Sequence, residues 1–99
     1  MGFITKNYID DNINFLMKYG FEKYGKGYSC RKIYNDITIC VCINNDGKEG
    51  SISIYQQWVN KFYMFKIQSD PNEENNYIKE LDDKVTAYLE DQGYDSICE

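Results

Sequence analysis

The sequence predicts an α+β fold: a two-layer sandwich in which a four-stranded antiparallel meander carries both helices on one face, in the order α-β-β-β-β-α. Three observations predict it. Apolar side chains near each end recur at helical spacing, those of the middle alternate with small or polar ones, and three turns placed independently agree on one inner face of the sheet.

The first helix is expected over about 7–19, where Ile9, Ile13, Leu16 and Met17 fall on one face. Thr5 or Asn7 can cap it, Asp10 and Asp11 suit its positive end, and Gly20 followed by Phe21 suits a left-handed C-terminal stop. Strands follow at about 27–34, 37–43, 51–59 and 62–68. Asp46-Gly47 reads as a two-residue hairpin turn that sets Ile43 opposite Gly50, Val41 opposite Ile52 and Ile39 opposite Ile54. A turn at Asn35-Asp36 sets Tyr34 against Ile37 and Cys30 against Val41. A turn at Asn60-Lys61 sets Trp58 against Tyr63, Gln56 against Phe65 and Ile54 against Ile67.

These pairings put Tyr28, Cys30, Tyr34, Ile37, Ile39, Val41, Ile43, Ile52, Ile54, Trp58, Tyr63, Phe65 and Ile67 on one face. Lys32 and Gln56 are the misfits, with Lys32 expected to reach water from an edge strand. The last helix, about 71–92, opens with Asp70 as cap, Pro71 in the first turn and Glu73 as the returning acid of a capping box. Its stripe is Ile78, Leu81, Val85, Tyr88 and Leu89, and Gly93 ends it. One domain spans 1–99, since 99 residues supply one hydrophobic core and not two.

Hydrophobic residues make up 42% and aromatics 16%, enough for a packed core, and the single proline argues against a disordered chain. Ten tyrosines, with many asparagines, isoleucines and lysines, also match the codon bias of an AT-rich genome, so tyrosine number alone carries no function. No stretch approaches the ~20 apolar residues of a membrane span. The first residues lack a secretory apolar core, and Lys6 stands where a myristoylation motif wants Ser or Thr. A cytoplasmic protein is expected, with no membrane partner. Cys30, Cys40, Cys42 and Cys98 are then expected as reduced thiols. Cys40-Val41-Cys42 lacks zinc-site spacing, and the chain has no histidine, so no metal or other cofactor is expected.

The same absence removes Ser-His and Cys-His catalysis. Cys30 beside Arg31 is the one thiol with a neighbouring cation, and the register buries it. Asp82 and Asp83 diverge by ~100° on a helix and do not face one site. Asn44-Asn45-Asp46-Gly47 places Cys42 and Ser53 where a calcium loop needs acids. Tyr24-Gly25-Lys26-Gly27-Tyr28 lacks the phosphate-loop spacing and reads as a basic connection. A non-enzymatic protein is expected.

Charge is unevenly placed. Residues 1–48 carry seven basic and five acidic side chains, whereas residues 70–99 carry two basic against ten acidic, a net of −8 in a chain of −5. Direct nucleic-acid binding is disfavoured, and a basic protein partner is favoured. The expected partner-binding residues are Glu73, Glu74, Glu80, Asp82, Asp83, Glu90 and Asp91 on the last helix, with Tyr55, Phe62 and Met64 on the outer sheet face. Size, acidity and architecture point to an inhibitor that occludes a basic nucleic-acid-processing enzyme, of phage anti-defence or toxin-immunity type. The alternative is a homodimeric accessory protein paired through the outer sheet face.

Overall fold

The computed structural model describes residues 3, 4 and 15–98. Five strands form one antiparallel sheet in sequential order: β1 (Glu22–Tyr24), β2 (Gly27–Tyr34), β3 (Ile37–Ile43), β4 (Glu49–Gln56) and β5 (Val59–Lys66). The helix α1 (Glu74–Asp91) covers one face. The architecture is α+β, with a meander one strand larger than expected and a single α-helix among the described residues.

The centre of the sheet follows the expected register. Cys30 pairs with Val41, Tyr34 with Ile37, Val41 with Ile52 and Ile43 with Gly50. Alternation enforces this outcome, because a one-residue slip would turn Ile39, Val41, Ile52 and Ile54 to the open face. All four are fully buried. The β3–β4 connection is wider than a two-residue turn. The Asn44 side-chain oxygen accepts from the Lys48 and Glu49 amides at 3.1 Å each, and the Gly47 amide donates to the Asn44 carbonyl.

The β4–β5 register differs from expectation. Gln56 pairs with Val59, so the turn is Gln57-Trp58 and not Asn60-Lys61; Tyr63 faces Ile52, and Phe65 faces Gly50. Gln57 takes the left-handed conformation at φ 46, a cost that a non-glycine residue bears only where flanking pairing imposes it. The imposing pair is visible: the Phe65 ring lies over Gly50, in space that a Cβ there would enter at 2.7 Å. The displacement is by an even number of residues, so Phe65 and Ile67 remain buried on the inner face. Trp58 does not join the inner face. It is 98% exposed at the turn. Its fluorescence, the only tryptophan signal of the chain, is therefore expected to be quenched freely by acrylamide and to shift little on unfolding. A blue-shifted, protected emission would contradict this turn.

β1 was not expected. Glu22-Lys23-Tyr24 shows no apolar alternation, and all three are exposed. The strand exists because Gly25, at φ 58, makes a tight turn that folds Tyr24 back onto Gly27. β1 covers the outer edge of β2 only over Gly27–Ser29, so Lys32 stands on the uncovered stretch of that strand, as expected, and is half-buried. Its ammonium donates to the Phe3 carbonyl at 2.7 Å and lies over the Phe3 ring.

Of the expected first helix, residues 7–14, including Ile9 and Ile13, lie outside the described residues. Its described end, Phe15–Tyr19, is a 3₁₀ turn and not α-helix. It stops as expected: Gly20 is left-handed, its amide donates to Met17, and Phe21 donates to Leu16. Gly93 and Tyr94 end α1 in the same way on Glu90 and Leu89. The start of α1 differs. Asp70 does not cap the helix; its carboxylate accepts from Asn72, its carbonyl accepts from Glu73, and Pro71 lies in that preceding turn. Glu73 is the N-cap and makes no side-chain capping bond.

The core joins Leu81, Val85, Leu89 and Tyr77 of α1 to the inner sheet face, with Phe3, Ile4, Leu16 and Phe21 added from the N-terminal segment. Tyr77 replaces Ile78 as the fully buried member of the helix stripe, and its hydroxyl donates to the Gly47 carbonyl at 2.6 Å. Tyr63 is partly exposed and stacks on Tyr88 at 4.8 Å, extending the sheet–helix contact to the β5 edge. Among the described residues no helix is long and apolar enough to cross a membrane.

Candidate functional site

One face of the sheet is closed by α1, and the other is open. Along β3 the open positions are Thr38, Cys40 and Cys42, and they pair with Tyr55, Ser53 and Ser51 of β4. Small side chains in the two central strands make a low floor. Larger ones stand around it: Tyr24 from β1, Arg31 and Ile33 from β2, and Phe62 and Met64 from β5. The result is a concavity of about 610 Å³ over Cys40, Cys42, Ser51 and Ser53, walled by Tyr24, Arg31, Tyr55 and Phe62. A second hollow of about 420 Å³ shares Tyr24, Cys42, Ser51 and Phe62 with it and runs on to Met64. Exposure of the apolar walls is high: 72% for Tyr24, 61% for Phe62 and 62% for Met64.

The expected binding residues divide between opposite sides of the molecule. Tyr55, Phe62 and Met64 lie together on the open face. Glu73, Glu74, Glu80, Asp82, Asp83, Glu90 and Asp91 lie on or next to α1, behind the sheet. Three of these acids hold the fold together. Glu80 accepts the Gln68 and Ser69 amides at 2.8 and 2.7 Å and pairs with Lys84. Asp82 accepts the Ile4 amide at 2.8 Å and so fixes the N-terminal segment against α1. Glu74 accepts from the Tyr19 hydroxyl at 2.9 Å and lies 3.6 Å from Lys18. Glu73, Asp83, Glu90 and Asp91 are exposed, with Asp83 in a surface pair with Lys79 and Glu73 accepting from Asn76.

Tyr24, which the sequence places in the Tyr24–Tyr28 connection, belongs to the open face. The available signal was the Gly25-Lys26 turn, which folds its neighbours into a hairpin. Burial pushes the Cys42 thiol up to about 11, helped by Cys40, whose sulfur lies 3.8 Å away. Burial also raises Cys30 on the inner face, against the lowering effect of Lys32. Both thiols are therefore protonated at neutral pH and poor nucleophiles. Among the described residues, no group of three or more cysteines and carboxylates is gathered in a metal-binding cluster. The open face offers contact area, rigid aromatics and small polar groups, which is chemistry for binding.

Comparison with protein-family models, curated proteins and solved structures finds no match to this chain.

Proposed function

We propose that this chain is a non-enzymatic protein-binding domain that docks on a larger basic partner through the open face of its sheet. The observation that carries the reading is the exposure of Tyr24, Tyr55 and Phe62 around one concave floor, with Met64 in the adjoining hollow and Ile33 exposed on the same face. A contiguous aromatic and sulfur-bearing patch with a small polar centre resembles the anchor and pocket arrangement of interface cores. The exposed carboxylates of α1 are too far around the molecule to share that contact. Their role in this reading is long-range attraction, which speeds encounter and orients the partner. Occlusion of a nucleic-acid-processing enzyme, of phage anti-defence or toxin-immunity type, is the inhibitory role that suits this combination, with no direct contact to nucleic acid.

The test is kinetic. Reversing Asp83, Glu90 and Asp91 to lysine is expected to slow association with the partner severalfold at low salt and to leave dissociation unchanged. The loss fades as the Debye length shrinks toward ~3 Å at 1 M salt. An unchanged association rate at low salt contradicts the steering role.

The edge of β5 favours a second reading. Val59, Phe62, Tyr63 and Met64 are exposed on a strand whose outer edge pairs with no other strand among the described residues. A homodimer through this edge and the adjoining open face would be seen as a doubled mass in sedimentation equilibrium. Phe62→Ser would then return it to a monomer.

A further inference from the structure

The paired thiols of the open face are not explained by docking. Cys40 and Cys42 occupy successive outward positions of β3, and their Sγ atoms are 3.8 Å apart. Met64 comes from β5 onto the same face and lines the same hollow as Cys42. We propose that Cys40 and Cys42 form a binding site for Cu(I) on this face, with Met64 at its margin across Ser51 of β4.

Geometry favours a shared ion over a sulfur–sulfur bond. Positions i and i+2 of an extended strand are roughly 6.6–6.8 Å apart, at the outer limit for a disulfide. A separation of 3.8 Å is instead the distance between two thiolates bound at ~2.3 Å to one tetrahedral or trigonal centre, so both sulfurs can reach one ion without backbone movement. The donor set selects the ion. Thiolate and thioether are soft ligands, and they favour Cu(I) or zinc over magnesium, calcium or manganese. Zinc takes four ligands in a closed site, and the chain has no histidine while no third cysteine or carboxylate joins the pair among the described residues. Cu(I) is satisfied by two or three sulfurs. The half-buried thiols lie on the floor of the concavity, beside Tyr24, Tyr55 and Phe62.

The reaction is a simple exchange. Each thiol gives up its proton as its sulfur bonds the ion, so one Cu(I) displaces two protons and leaves a bis-thiolate of charge −1, with copper unchanged in oxidation state. Arg31, paired with Cys40 across β2 and β3, and Glu22 of β1 both line the same concavity. Binding must weaken as pH falls, because protons compete for both thiolates.

The experiment is an anaerobic titration of the full, reduced chain with Cu(I) against the chromophoric chelator bicinchoninate, with X-ray absorption on the loaded protein. One equivalent withdrawn from the chelator and a sulfur-only coordination shell are expected. Cys40→Ser and Cys42→Ser should each abolish retention, Met64→Leu should weaken it, and Cys30→Ser and Cys98→Ser should retain it. The proposal is overturned if the wild-type chain leaves Cu(I) with the chelator. It is equally overturned if Cys40→Ser and Cys42→Ser, folded by circular dichroism, retain the ion as the wild type does.

Discussion

Leu81→Ala is expected to destabilise the protein by about 2–5 kcal/mol, a large share of the 5–15 kcal/mol typical of a domain. Leu81 is fully buried at the centre of α1, in one core cluster with Ile39, Val41, Ile52 and Ile54 of the sheet. The substitution removes apolar contact and leaves a cavity that a β-sheet backbone cannot easily collapse to fill. In thermal unfolding the expected loss is roughly 4–8 °C for each kcal/mol. Asp83→Ala, two residues away and exposed, is the control and should change stability by no more than about 0.5 kcal/mol. Equal effects of the two substitutions would mean that α1 does not cover the sheet.

Glu80→Gln is the second substitution with a large expected effect, about 1.5–3 kcal/mol at neutral pH. Its two carboxylate oxygens accept separately from the Gln68 and Ser69 amides, closing the segment between β5 and α1, and one also meets Lys84. Glutamine keeps one acceptor and turns an amide donor toward an amide donor. Burial alone would raise the Glu80 carboxyl, but the bonds from Gln68, Lys84 and Ser69 outweigh it and hold the group down at about 2, from an ordinary 4.5. A folded-state value below the unfolded one means that the stabilisation is full above about 4.5 and disappears as pH falls toward 2. The wild type should therefore lose its advantage over Glu80→Gln across that interval in chemical denaturation. A constant difference from pH 7 to pH 2 would contradict the assigned bonds.

The legible part of the fold is the part where two local signals coincide. In β2, β3 and β4, strict alternation and turn residues both fix the pairing, and Val41 opposite Ile52 follows from either. In β5 they conflict. Asn60-Lys61 has turn chemistry, but the chain turns at Gln57-Trp58, where nothing local favours a left-handed residue and the Phe65–Gly50 contact decides. The faces survive this error because the displacement is even, which is why Phe62 and Met64 were correctly placed outside while Trp58 was not placed in its turn. β1 was hidden because its three residues carry no apolar pattern. The acidic helix was legible as a charge and illegible as a set of roles: only tertiary contacts distinguish Glu80 and Asp82, which accept backbone amides from other segments, from Glu90 and Asp91, which do not.

On the proposed reading the open sheet face makes the partner contact while α1 acts from a distance. The most direct measurement is the dissociation rate of the partner complex for Phe62→Ser with Met64→Ser, beside that for Asp83→Lys with Glu90→Lys. Both pairs of positions are exposed, so the folded state should be preserved in each. The sheet-face pair is expected to accelerate dissociation at least about tenfold at every salt concentration, as when anchors near the centre of an interface are removed. The helix pair should leave that rate unchanged. Normal dissociation from the sheet-face variant, with rapid loss from the helix variant, would place the interface on α1 and contradict the account.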